Sequence, residues 1–297
     1  MALTLLEAQK HARTPQELAV VTELAASPLM NVLPFREIEG NGLFWKREES
    51  LPAVGFRNYN QALAESYAET SQQSESLKLF GGDIKVDRAI VDLEGPQARA
   101  YQTQARVRAL RLAFESLFIN GDSNQSPAEF DGLANRVPSG SSQFFAGGGN
   151  ALALGQLDEA IDAVDAQGGQ KYIIASKSLR RALTRQARTN TQIDIMQSEF
   201  GYQQTVYAGI PVLELDRDNL NAPILDAAAD SQDLYVVSFG DTHLTGIQNG
   251  GINVRDLGED HTLPQLITRI EGYVSIALIN GRAIARINDI DATADPA

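Results

Sequence analysis

Apolar positions recur in this chain with two periods, one near 3.6 residues and one of 2, and the switches between them outline its elements. Thr14, Pro15 and Glu17 form a capping box that opens a short helix, which Ser27-Pro28 stops. From Leu43 to Tyr59 the chain turns aromatic and β-branched, with Val54 and Phe56 on one face and Arg57 and Tyr59 offset. Ile84, Val86 and Ile90 then alternate with charged neighbours as far as Val91. Together these runs predict a long two-stranded excursion. Its middle, Asn60 to Ser76, is rich in Ala, Ser, Gln and Glu and reads as a loop with almost nothing to bury.

Pro96 opens a stretch without Gly or further Pro through Asn120, which predicts one helix of about 24 residues and about 36 Å. Gly147-Gly148-Gly149 reads as a flexible linker. Leu157, Ile161 and Val164 mark a second amphipathic helix ended by Gly168-Gly169, Lys171 to Ala175 a short buried strand, and a third helix starts near Ser178. Strand signals follow at Ile210 to Leu215, Leu234 to Phe239 and Ile252 to Arg255. Gly209 precedes the first of these at a tight turn, and Pro211, which has no amide to donate, belongs at a strand start or edge. Leu266, Ile270, Val274, Ile276 and Leu278 share one parity, and Asn280-Gly281 behind them is the dipeptide of a two-residue hairpin. The class is α+β with a mixed or antiparallel sheet.

Composition removes more functions than it suggests. The 297 residues include no Cys, which excludes disulfides, thiolate metal sites and cysteine nucleophiles, and three His leave little histidine chemistry. A net charge of −13 makes a general nucleic-acid binder a poor reading. No apolar run is long enough for a membrane span, so the default expectation is the cytoplasm. The acids Asp256, Glu259 and Asp260 beside His261 are the most metal-like string, but their spacing fits no metal loop and they read as a solvated turn. Asp289, Asp291 and Asp295 lack the Gly and the closing Glu of a calcium loop. No nucleophile has a recognisable base, so neither an enzyme nor a cofactor site is predicted. The one basic patch is Lys177, Arg181, Arg185 and Arg188, a stripe along one helix face with Arg180 beside it. In so acidic a chain the stripe is expected to meet a protein surface rather than DNA.

Six phrases stand in order around the long helix: Leu51-Pro52-Ala53-Val54-Gly55-Phe56-Arg57, Phe118-Ile119-Asn120-Gly121-Asp122, Glu129-Phe130-Asp131-Gly132-Leu133, Gly209-Ile210-Pro211-Val212, Phe239-Gly240-Asp241 and Arg269-Ile270-Glu271-Gly272-Tyr273. With them the chain resembles the major capsid proteins of tailed bacteriophages, which have the Hong Kong 97-like fold. The resemblance implies an N-terminal arm over residues 1–40, an extended E-loop over 41–86, and a P-domain over 87–171 and 263–290 containing a spine helix at 96–119. It further implies an A-domain inserted at 172–262 and a tail at 291–297. It implies a structural protein assembling with itself into hexamers and pentamers of an icosahedral head, in a host bacterial cytoplasm, as part of the virion. Either a separate scaffolding protein acts or none is needed; a portal is a further partner implied, a decoration protein is left open, and packaged DNA is touched only weakly. Trp45, Arg47, Phe56, Arg57 and Tyr67 would then belong to an intersubunit E-loop, with Trp45, Val54, Phe56, Ile84 and Val86 supplying apolar surface for a neighbour. Lys46, Lys78 and Lys85 lie in the same region, in contexts that identify no crosslink. An encapsulin-like shell around a cargo enzyme shares this architecture and is the alternative.

Overall fold

The computed structural model describes residues 23, 26–63, 65–95, 97–190, 193–197, 203–228 and 231–294. The Thr14 to Glu17 capping box, Pro96 and Asp295 lie outside them, as does the side chain of Arg188. The strands are β1 (Phe35–Glu37), β2 (Gly42–Ser50), β3 (Glu69–Ser76), β4 (Lys78–Asp87), β5 (Phe144–Asn150), β6 (Gln170–Ala175), β7 (Ile193–Gln197), β8 (Gln203–Tyr207), β9 (Ile210–Glu214), β10 (Asp226–Ala228), β11 (Ser231–Phe239), β12 (Leu244–Glu259), β13 (Gln265–Leu278) and β14 (Ile284–Ile290). Helices span Arg88–Glu94, Gln97–Asn120, Leu133–Arg136, Leu154–Ala163 and Lys177–Asn190. The long helix is therefore the one that the absence of Gly and Pro predicts.

Twelve strands form one mixed sheet, running β4-β13-β12-β11-β6-β9-β8-β7, with β1 on β12, β10 and β14 on β11, and β5 on β14. It has two parts. In one, β13 lies antiparallel between β12 and β4 along nearly its whole length. In the other, β6 and β14 flank β11 antiparallel, while β9 pairs with β6 in parallel. The parts meet through a single pair, Phe239 with Leu244, at the turn where β11 gives way to β12.

Period-2 alternation explains how the second part is covered on both faces. Tyr172, Ile174, Tyr235 and Val237 point into a core shared with Phe114 and Phe118 of the long helix. Their neighbours Ile173, Leu234 and Val236 point the other way, onto Leu157, Leu179 and Leu183 of the helices Leu154–Ala163 and Lys177–Asn190. At about 25 cal/mol per Å2 of apolar area, burying such side chains contributes about 1.5 to 3 kcal/mol each. Lys171 to Ala175 is fully sandwiched, which is why it reads as a continuous apolar run.

Four sequence expectations need correction. The partner of β2 is not the Ile84 strand but β3, inside the segment read as a loop; Trp45 opposes Gln73 and Arg47 opposes Ser71. A ladder of backbone bonds does not require apolar side chains on both strands, and here β2 supplies the apolar ones. Second, β4 ends at Asp87 rather than Val91, because the Asp87 side chain accepts from the Ala89 amide at 2.8 Å and caps the helix Arg88–Glu94. Third, Gly147-Gly148-Gly149 is part of strand β5, and a Cβ at Gly147 would stand 2.7 Å from the carbonyl oxygens of Asn288 and Asp289. Gly147 thus allows close approach, while Gly148 and Gly149 hold positive φ of +66° and +69°. Fourth, Asn280-Gly281 does turn the chain, with Asn280 Oδ1 accepting from the Arg282 amide, yet neither residue has a positive φ and β13 and β14 do not pair. The two strands leave the turn for different partners, so no hairpin forms.

Candidate assembly surfaces

The two-stranded sheet of β2 and β3 stands apart from the large sheet as an arm. Its root is held from several directions. Leu43 and Trp45 pack on Ile38, Leu77, Ile247 and Ala277. Arg47 donates from Nη2 to the Leu278 carbonyl at 2.6 Å and from Nε to that of Ile279 at 3.3 Å. Arg136 makes a 2.6 Å ion pair with Glu75 of β3, and it also donates to the carbonyls of Asp131 and Ile276. Burial raises the Glu75 carboxyl above its ordinary range, and the Arg136 charge opposes that rise. Arg47 is thus spent within its own chain, and Trp45 is half-buried. Ile84 and Val86, expected to offer surface to a neighbour, are buried against Val107 and Ile270.

Beyond the root no described element lies under the arm. Residues 51–68 contain no regular secondary structure where described, and Leu51, Val54, Phe56, Tyr59, Leu63 and Tyr67 are all exposed, Val54 at 96%. Among the described residues Arg57 reaches the Gln61 carbonyl and Tyr67 reaches Glu65, both inside the segment. Single exposed apolar residues are ordinary, but six within one segment mark a binding surface.

The basic stripe is less free than its sequence suggests. Lys177 pairs with Asp216 and Arg180 with Glu214, each at 2.8 Å, and Arg185 donates to the Ala292 carbonyl at 3.0 Å. Arg181 is exposed, with no acid beside it among the described residues. The acidic string is likewise divided: Asp256 pairs with Arg99, Glu259 with Arg88 and Asp260 with Lys85. Hydrogen bonds from Thr262, reinforced by Lys85, hold Asp260 down at about 2. Three acids aimed at three cations form no cage, and the described residues contain no cluster of metal-ligating side chains. Asp291 caps the turn of Thr293 and Ala294.

Ala208 and Gly209 both have positive φ, +48° and +78°, and form the two-residue turn between β8 and β9, where Tyr207 opposes Ile210. Pro211 faces Val206 next to that pair, a position from which no amide is required. Sequence reasoning missed Arg136 and Glu75 altogether. The available signal was the pair Gly121 and Gly132: their backbones bond at 2.8 Å, and a Cβ on Gly132 would lie 2.5 Å from the Ile119 carbonyl oxygen. This contact folds the segment after the long helix back on itself and brings Arg136 to the arm.

A family model described as major capsid protein GP7 matches residues 38–155, which takes in the arm and the long helix. Among solved structures, an encapsulin complex of Synechococcus elongatus, SrpI, aligns over 100% of this chain and 99% of its own at a TM-score of 0.70 and 17% identity. Mycobacterium phage Cain aligns over 99% and 100% at 0.64 and 12%, and the cyanophage A-1(L) capsid over 89% and 93% at 0.63 and 16%. No curated protein matches by sequence. The chain therefore has the Hong Kong 97-like fold, and the fold and the family match are those of shell-forming structural proteins. No helix among the described residues is long and apolar enough to cross a membrane.

Proposed function

We propose that this chain is the major capsid protein of a tailed bacteriophage and that its work is self-assembly into the icosahedral head of the virion. The observation that carries this reading is the arm: six exposed large apolar residues lie in a segment that its own subunit leaves unburied. Ordering such a segment costs about 1 to 2 kcal/mol per residue, which only a neighbouring surface can offset. The match of residues 38–155 to a capsid family model favours a genome container. Within this reading the E-loop is the arm itself, residues 42–76, since β4 is fully paired in the large sheet. The ladders also favour an A-domain made of residues 143–243 and 279–292, because β5 and β14 join β6 and β11, whereas β12 joins β13 and β4. The division at 172 and 262 would cut both ladders.

An encapsulin-like shell is the second reading, favoured by the full-length overlay with SrpI. Negative-stain microscopy and sedimentation velocity of the purified chain should show capsomers or closed shells. A chain that remains monomeric across salt, pH and concentration, with candidate scaffold co-expressed, rules the shell reading out. Particles from the native source that contain DNA support the capsid, and particles filled with one protein support the encapsulin.

A further inference from the structure

We propose that Arg181 receives carboxylates from a second copy of this chain, and that Glu159 and Asp162 are the donors. The inference rests on the shell reading and names one contact within it.

The receiving side is a cleft of about 510 Å3 between the helix Lys177–Asn190 and the C-terminal segment, lined by Arg180, Arg181, Thr184, Arg185, Ala292 and Thr293 together with Ser178, whose hydroxyl is spent on Gln232. Among the described residues no carboxylate lines it, in a chain that has 38 acidic and 25 basic residues. Its other polar groups are committed: Arg180 faces Glu214, Thr184 donates to the Arg180 carbonyl, Arg185 to Ala292, and Thr293 to Asp291. Arg181 is left exposed, its fork unused by any of the described residues, a geometry suited to a carboxylate.

The donating side is the helix Leu154–Ala163. Leu157 and Ala160 are buried, so the opposite face carries Gly155, Glu159 and Asp162, spaced i, i+4 and i+7. Glu159 and Asp162 are exposed and pair with no cation among the described residues, and nothing lies within 4 Å of where a Cβ on Gly155 would be. A flat, doubly acidic helix face and a concave cationic cleft are complementary in charge and shape. They are not joined within the subunit, although both helices cover the same face of the sheet. Two copies satisfy both, and each copy supplies both halves of the contact. A phosphate backbone is the competing occupant, disfavoured because one uncommitted arginine on a −13 chain neutralises little polyanion.

The test is a charge swap in the full chain: Arg181→Glu, the double change Glu159→Lys with Asp162→Lys, and all three together. Both partial variants should raise the concentration for half-assembly by about tenfold at low salt, and the triple variant should return it to within about twofold of wild type. Circular dichroism melts should stay unchanged, since the side chains of Arg181, Glu159 and Asp162 are exposed and make no ion pair with the described residues of their own subunit. Arg181→Glu that assembles like wild type, or that builds normal shells lacking only DNA, overturns this contact while leaving the shell reading intact. A triple variant no better than either partial one also overturns it. A wild type that never assembles overturns both.

Discussion

Two glycines show how different residue-scale constraints can be. Gly209 holds a φ of +78° in open space, so its replacement by Val costs backbone strain alone, about 1 to 3 kcal/mol. Gly132 has an ordinary φ of −79°, yet a Cβ there meets backbone at 2.5 to 2.7 Å, and Gly132→Ala should destabilise by about 1 to 3 kcal/mol through overpacking. Denaturant titration separates the two: Gly209→Asn should recover most of the loss, because Asn tolerates a positive φ, whereas no side chain should rescue Gly132. The first constraint is legible in the phrase Gly209-Ile210-Pro211, since a glycine ahead of a proline-bearing strand implies a turn. The second is not, because it depends on contact with Gly121 across a folded loop. Buried charge is equally local. Glu115 of the long helix accepts from Ser27 Oγ at 2.6 Å, and burial raises its carboxyl above the ordinary value. A raised carboxyl favours the folded state below the unfolded pKa and loses that advantage as pH rises through the folded one. Glu115→Gln should therefore raise the melting temperature relative to wild type at pH 8 and leave it nearly unchanged at pH 4. A difference that does not grow between those limits contradicts this account.

Elements were readable in proportion to how much they bury. The long helix is legible from its freedom from Gly and Pro, β6 and β11 from continuous apolar runs buried on both faces, and β13 from its shared parity, and all four lie close to where those signals put them. Strand β3 has the sequence Glu69-Thr-Ser-Gln-Gln-Ser-Glu-Ser76 and no apolar residue, so nothing in it announces a strand. It forms because β2 supplies its apolar side and Arg136 neutralises its Glu75. The same reasoning predicts where the free chain is vulnerable. Proteases should cut first between Leu51 and Ala68, where the backbone lacks regular structure, rather than in the strand Glu69–Ser76. Assembly should protect those bonds, as peptide mapping of free and assembled protein will reveal. Equal cleavage rates in the two states would mean that no neighbour covers the arm. Arg136→Ala should loosen the arm root and extend the cuts into β3, since it leaves the half-buried Glu75 without its ion-pair partner and with only the weaker influence of Lys78.

At the scale of the whole molecule, the separate assignments depend on one geometric fact: a body with a two-sided core carries an arm whose tip has no core. On that body, of net charge −13, several of the described cations, among them Arg136, Lys177, Arg255 and Arg269, are already ion-paired within the subunit, and this bears on how copies recognise one another. Ion pairs such as Arg269 with Asp83 and Arg255 with Glu271 are exposed and lie within the sheet of β4, β13 and β12. They are screened over about 8 Å at physiological ionic strength and add little to folding. The arm root differs, because its arginines are largely shielded and bind carbonyls. Trp45 sits in that root as the chain's sole tryptophan, its indole nitrogen buried without a hydrogen-bond partner. The protein consequently carries its own optical gauge of arm position. Ultraviolet emission excited at the indole band comes from this one place, blue-shifted while the root is packed and red-shifted once water reaches the ring. A stopped-flow trace of that colour during assembly reports directly whether the arm is set before neighbours meet or is set by them.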